Sequence, residues 1–86
     1  MIIFVLTKEG FKDMKPLIET GRFPLWFNGG LLDQEEIDSQ ISEDLEVSSF
    51  NYVIDIEDEE ALVGALLTVA EHHPNERIWS ESRPKI

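Results

Sequence analysis

Two adjacent histidines, His72 and His73, preceded by Glu71, are the first residues with the chemistry for metal binding or proton transfer. Neighbours on a helix project about 100° apart, so the pair cannot readily chelate one ion. No third ligand stands at a recognisable spacing. Two imidazoles at a helix C-terminus also complement the macrodipole, which is the plainer reading. The run Asp55-Ile56-Glu57-Asp58-Glu59-Glu60 resembles a cation loop only superficially. Counted from Asp55, a calcium loop needs Gly at the sixth position and Glu at the twelfth, where this chain has Glu60 and Leu66. Carboxylates there suit a helix start instead. Gly29-Gly30 lacks the following Lys-Ser/Thr of a phosphate loop. Ser48, Ser49, Ser80 and Ser82 stand in no nucleophile motif. Without cysteine there is no thiolate nucleophile, disulfide or thiolate zinc site. No catalytic residue, metal ligand or cofactor site is expected, and enzymatic use of His72 or His73 is the weakest of three functional readings.

What remains is charge. The seven basic residues lie towards the two ends, as Lys8, Lys12, Lys15 and Arg22, then Arg77, Arg83 and Lys85. Between Arg22 and Arg77 there is no Lys or Arg, and the net charge is −11. Such a surface repels phosphates, so direct binding of nucleic acid or an anionic membrane is not expected. The apolar N-terminus is too short for a signal core or a membrane span. Together with the absence of cysteine, this gives a cytoplasmic expectation.

The elements that must position these charges follow from periodicity. Ile2 to Leu6 is continuously apolar, as in a strand buried on both faces. Thr7 can cap a helix carrying Phe11, Met14, Leu17 and Ile18 and ending at Gly21, with Pro16 as an irregularity. Phe23 to Asn28 reads as a second strand, placed at an edge by Pro24. Asp33 and Glu36 match a capping box, followed by a thin helix with Ile37, Ile41 and Leu45. Phe50, Tyr52, Ile54 and Ile56 alternate as in a third strand. A helix from about Asp58 to His72 ends at Pro74-Asn75, and Arg77 to Glu81 makes a last strand.

At 86 residues the chain makes one domain. The expected class is α/β (α+β): a ferredoxin-like βαββαβ two-layer sandwich, sheet order 4-1-3-2, with a helical insertion between strands 2 and 3. Residues 29–47 form that acidic insertion and 82–86 a flexible tail.

The insertion crowds carboxylates onto a helix with one apolar residue per turn, and like charges at i,i+4 repel. A basic protein would relieve that repulsion. The expected contact residues are Asp33, Glu35, Glu36, Asp38, Glu43, Asp44 and Glu46, with Trp26 and Trp79 on edge strands as anchors. The pattern implies an acidic protein-binding module that inhibits a basic, nucleic-acid-acting protein, as immunity, antitoxin or phage inhibitor proteins do. The chain is expected to be a monomer or a homodimer, and the alternative is a self-associating ferredoxin-like regulatory or scaffold domain without catalysis. It would self-associate through apolar surface around Val63 and Leu67, which lie round from the seam Leu62, Leu66 and Val69.

Overall fold

The computed structural model describes residues 1–82. The order is β1 (Ile2–Val5), α1 (Lys8–Ile18), β2 (Leu25–Phe27), α2 (Gln34–Gln40), β3 (Val47–Ser49), α3 (Glu59–His72) and β4 (Ile78–Ser80). A helix thus separates every pair of consecutive strands, and the four strands form a parallel sheet ordered β3-β2-β1-β4. β1 is central, as its sequence requires: Ile2, Ile3, Phe4 and Val5 are all fully buried.

The helices sit on both faces. Ile2, Phe4 and Leu6 point to one side, where Leu62, Ala65 and Val69 of α3 pack on them with Trp26 and Phe50. Ile3 and Val5 point to the other, against Phe11 and Ile18 of α1, Leu31, and the α2 segment through Ile37, Ile41 and Leu45. This three-layer arrangement follows from the handedness of parallel crossovers. The chain steps from β1 to β2 to β3 in one direction, then returns past both to place β4 on the far side of β1. Right-handed connections running in opposite directions must lie on opposite faces.

The ferredoxin-like antiparallel sheet is therefore not what forms. The α/β class stands, but the first strand pairs directly with the second, in register Ile3 to Leu25 and Val5 to Phe27. The physical reason lies at three points. Pro24 precedes β2 rather than interrupting it, and its carbonyl still accepts Ile3 N–H at 3.0 Å, so its missing N–H leaves the ladder intact and β2 is an interior strand. The third strand is the short polar Val47–Ser49, upstream of the alternating run. Residues 29–47 are no appendage: α2 is the crossover of a βαβ unit, and Ile41 and Leu45 just after it are buried in the core on that face of the sheet, with Ile37 partly buried against them. Of the expected tail 82–86, residues 83–86 lie outside the described residues.

Local signals held where capping chemistry was explicit. Thr7 Oγ1 accepts Gly10 N–H at 3.1 Å to start α1. Asp33 and Glu36 complete a reciprocal capping box on α2. Asp58 accepts Ala61 N–H to start α3. Gly21 takes φ +68° after α1, a value an L side chain resists.

Candidate interaction surface at the carboxyl rim of the sheet

In a parallel sheet whose helices cover both faces, ligands bind outside the carboxyl ends of the strands, where the chain direction reverses. Here that point lies between β1 and β4, and the chain fills it itself. The carboxylate of Glu81, just past β4, accepts the backbone N–H groups of Leu6 at 2.6 Å and Thr7 at 2.8 Å through Oε1. Its Oε2 accepts the Thr7 hydroxyl. Thr7 thus serves as a relay: its oxygen receives Gly10 N–H and its proton goes to Glu81. Glycine at position 10 is what admits the carboxylate, because a Cβ there would overlap Glu81. The anion that helix starts attract in such folds is supplied by the protein's own carboxylate.

A second bracket holds the neighbouring loop. Asn28, buried at the end of β2, donates from Nδ2 to the carbonyls of Leu6 (3.2 Å) and Ile54 (3.0 Å), and its Oδ1 accepts Ile54 N–H at 2.7 Å. One amide side chain therefore ties β1, β2 and the β3–α3 connection together. Gly29 lies so close to the Tyr52 carbonyl that no Cβ could be added without movement. The alternating run Phe50 to Ile56 is this loop. Phe50 and Ile54 are buried, whereas Tyr52, Val53 and Ile56 are 51%, 73% and 41% exposed. Tyr52 stacks edge-on against Phe50, ring centroids 5.5 Å apart.

The topology divides the expected acidic contact set. Each helix runs back against the strand before it, so helix starts gather at the carboxyl rim. Asp33, Glu35 and Glu36 of α2's start share that rim with Asp55, Glu57, Asp58, Glu59 and Glu60, and Asp38 follows one turn on. Glu43, Asp44 and Glu46 sit in the α2–β3 connection, at the opposite end of the sheet. Of the seven, all but half-buried Glu36 are exposed, and no ion pair among the described residues involves any of them. Lys8, Lys12 and Lys15 of α1 border α2 across a groove that includes Leu32 and Glu36, so the α2 side of the surface carries both signs. The 55–60 stretch contains acids alone as its charged residues.

Of the two tryptophans expected on edge strands, only Trp79 is on one. Trp26 lies on an interior strand and is 7% exposed. Its Nε1 donates to His73 Nε2 at 3.1 Å, and it packs against Phe50 and His72. With Nε2 accepting, the proton of neutral His73 belongs on Nδ1, 3.4 Å from Glu76 Oε2. Trp79 does lie on an edge strand, half-buried against the α1 side of the core. His73 also caps α3, its N–H reaching the carbonyls of Val69 and Ala70. Among the described residues no group of His, Asp and Glu is arranged to hold a metal ion, and no helix is long and apolar enough to cross a membrane.

Sequence reasoning missed Glu81, Asn28 and the exposed loop residues. A signal existed for one of them: a lone Asn ending an apolar strand and followed by two glycines is an unusual place for a polar side chain. Nothing in the sequence links Glu81 to Thr7, since their meeting depends on β4 lying beside β1.

No protein-family model matches the chain, and no curated protein or solved structure is significantly similar to it.

Proposed function

We propose that this protein is an acidic binding module whose carboxyl rim engages a basic protein, and that it acts by masking a surface with which that protein handles nucleic acid. The observation that carries the reading is the unneutralised rim. Asp33, Glu35, Asp38, Asp55, Glu57, Asp58, Glu59 and Glu60 are exposed, and no described ion pair involves any of them. Facing a basic groove, such a surface presents carboxylates where a nucleic acid would present phosphates, and charge complementarity raises the association rate. The closed switch point supports the same reading, because Glu81 occupies the place where a small anionic ligand would sit. Cytoplasmic residence belongs to this reading and rests on the absence of cysteine.

The test is a capture experiment from the native host at low and high salt, comparing the wild type with a variant carrying Glu35→Gln, Asp38→Asn, Glu59→Gln and Glu60→Gln. The reading expects a basic nucleic-acid-acting protein that the wild type retains at low salt, that the variant retains poorly, and whose activity the wild type inhibits. A captured protein indifferent to salt and to the four substitutions contradicts it.

One observation favours the second reading, self-association. Leu67 is 58% and Val63 43% exposed on α3, and they line a groove of about 520 Å³ beside edge strand β4, with Glu76 and Arg77 at its rim. Exposed as it is, Leu67→Glu should leave stability within about 0.5 kcal/mol of the wild type. Sedimentation velocity over a wide concentration range decides: a dimer that Leu67→Glu dissociates supports this reading, and a wild type that stays monomeric removes it.

A further inference from the structure

The two acidic segments of the rim are not equivalent. On α2 the carboxylates stand beside the lysine stripe of α1 and surround no exposed large apolar residue. In the β3–α3 loop they flank three. Tyr52, Val53 and Ile56 are exposed within five consecutive residues, hence within about 14 Å of one another along the chain. Asp55 lies among them, and Glu57, Asp58, Glu59 and Glu60 follow at once.

Exposing large apolar side chains on a small domain costs hydration free energy, and a loose loop could fold them under. This loop is prevented from doing so. Asn28 clamps Ile54 through both its N–H and its carbonyl. Ile54 and Phe50 are committed to the core on the α3 side of the sheet. Gly29 lets the Tyr52 carbonyl approach to a distance that a side chain would forbid. Anchors at Phe50, the Tyr52 carbonyl and Ile54 thus hold the stretch that displays the Tyr52, Val53 and Ile56 side chains. An apolar centre with a charged rim, held in one conformation before binding, is the anatomy of an interface anchor.

We infer that the β3–α3 loop, rather than α2, is the anchor for a basic partner protein: Tyr52, Val53 and Ile56 enter an apolar recess on it, and Asp55 and Glu57 to Glu60 meet Lys or Arg around that recess. The inference rests on the proposed function only in taking the partner to be basic. Charge complementarity selects that occupant. A second copy would bring the same carboxylates against themselves on top of a charge of −11 for each chain. An anionic lipid surface or a nucleic acid would meet the same repulsion.

The test uses the full chain, immobilised, to select from a library of random peptides, with affinities measured on synthetic copies of the enriched sequences. The expected peptides combine Lys or Arg with an aromatic or aliphatic residue. Tyr52→Ser with Val53→Ser should weaken their binding at least about tenfold. Ile56→Ser, which lies outside the Asn28 clamp, should weaken it independently. Glu57→Gln with Glu59→Gln and Glu60→Gln should weaken it and flatten its salt dependence, while Glu35→Gln with Asp38→Asn leaves it within about twofold. All these positions are exposed, and unchanged urea midpoints establish that the variants are folded. Basic peptides that tolerate the loop substitutions but are lost with the α2 pair overturn the anchor and leave the basic-partner reading standing. Enriched peptides without basic residues, or no enrichment, overturn both. A wild-type dimer that Tyr52→Ser with Val53→Ser dissociates would mean that a second copy covers the loop, and would likewise overturn the inference.

Discussion

The carboxylate of Glu81 accepts the backbone N–H of Thr7 at 2.8 Å, across 74 residues of sequence. With the Leu6 N–H and the Thr7 hydroxyl it closes the crevice between β1 and β4. Glu81→Ala leaves these donors without their acceptor in a partly buried setting. The expected cost is about 1–3 kcal/mol, read as a lower urea midpoint at unchanged slope. An unchanged midpoint would mean that water replaces the carboxylate freely and that the closure is incidental.

Gly10 provides a sharper test through coupling. Glycine inside a helix is ordinarily worse than alanine by about 0.5–1 kcal/mol, so Gly10→Ala would be expected to stabilise. Here its methyl group must displace Glu81, and the substitution should destabilise instead. In a Glu81→Ala background that conflict vanishes and the sign should reverse. A double-mutant cycle measures the difference directly. Additive effects would show that the two residues do not meet in solution.

Asn28 holds three backbone groups with one amide. Asn28→Ala strands the Ile54 N–H and two carbonyls in a buried place, at an expected cost of about 2–3 kcal/mol. Hydrogen exchange of the Ile54 amide should accelerate more than that of the β1 amides, because the loop loses its clamp while the central strand keeps both ladders. Equal acceleration at both places would indicate global destabilisation only, and the clamp would have no local role.

How far the fold was legible depended on whether each signal was local. β1 could be placed at the sheet centre because four consecutive apolar residues admit no exposed face. The caps at Thr7 and Asp33 are legible because capping chemistry sits within three residues, whereas at Asp58 the sequence marks only an approximate helix start. The third strand was misplaced because Phe50, Tyr52, Ile54 and Ile56 alternate in sequence yet split into two buried and two exposed residues, a pattern set by the tertiary clamp at Asn28. The true β3, Val-Ser-Ser, carries almost no apolar signal, since an edge strand with polar residues gains its stability from pairing with β2. Reading α2 as an insertion then suggested the antiparallel sheet. A helix between every pair of strands is the mark of parallel βαβ units, and that is the sheet that forms. The acidic surface was visible as composition, but its division between rim and opposite end followed only from topology.

The central claim is that rim carboxylates steer a basic partner onto this protein. Its most direct test is the association rate constant with the captured partner, measured against ionic strength, for two charge-reduced variants. One carries Glu35→Gln, Asp38→Asn, Glu59→Gln and Glu60→Gln on and beside the rim. The other carries Glu43→Gln, Asp44→Asn and Glu46→Gln at the opposite end of the sheet. Exposed charges are screened beyond about 8 Å at physiological salt, so position should matter as well as number. The account predicts that the rim variant associates more slowly at low salt and loses most of the salt dependence, while the opposite-end variant stays close to the wild type. Equal rates and equal salt slopes for all three proteins would contradict it, and the carboxylates would then serve only to keep the protein soluble.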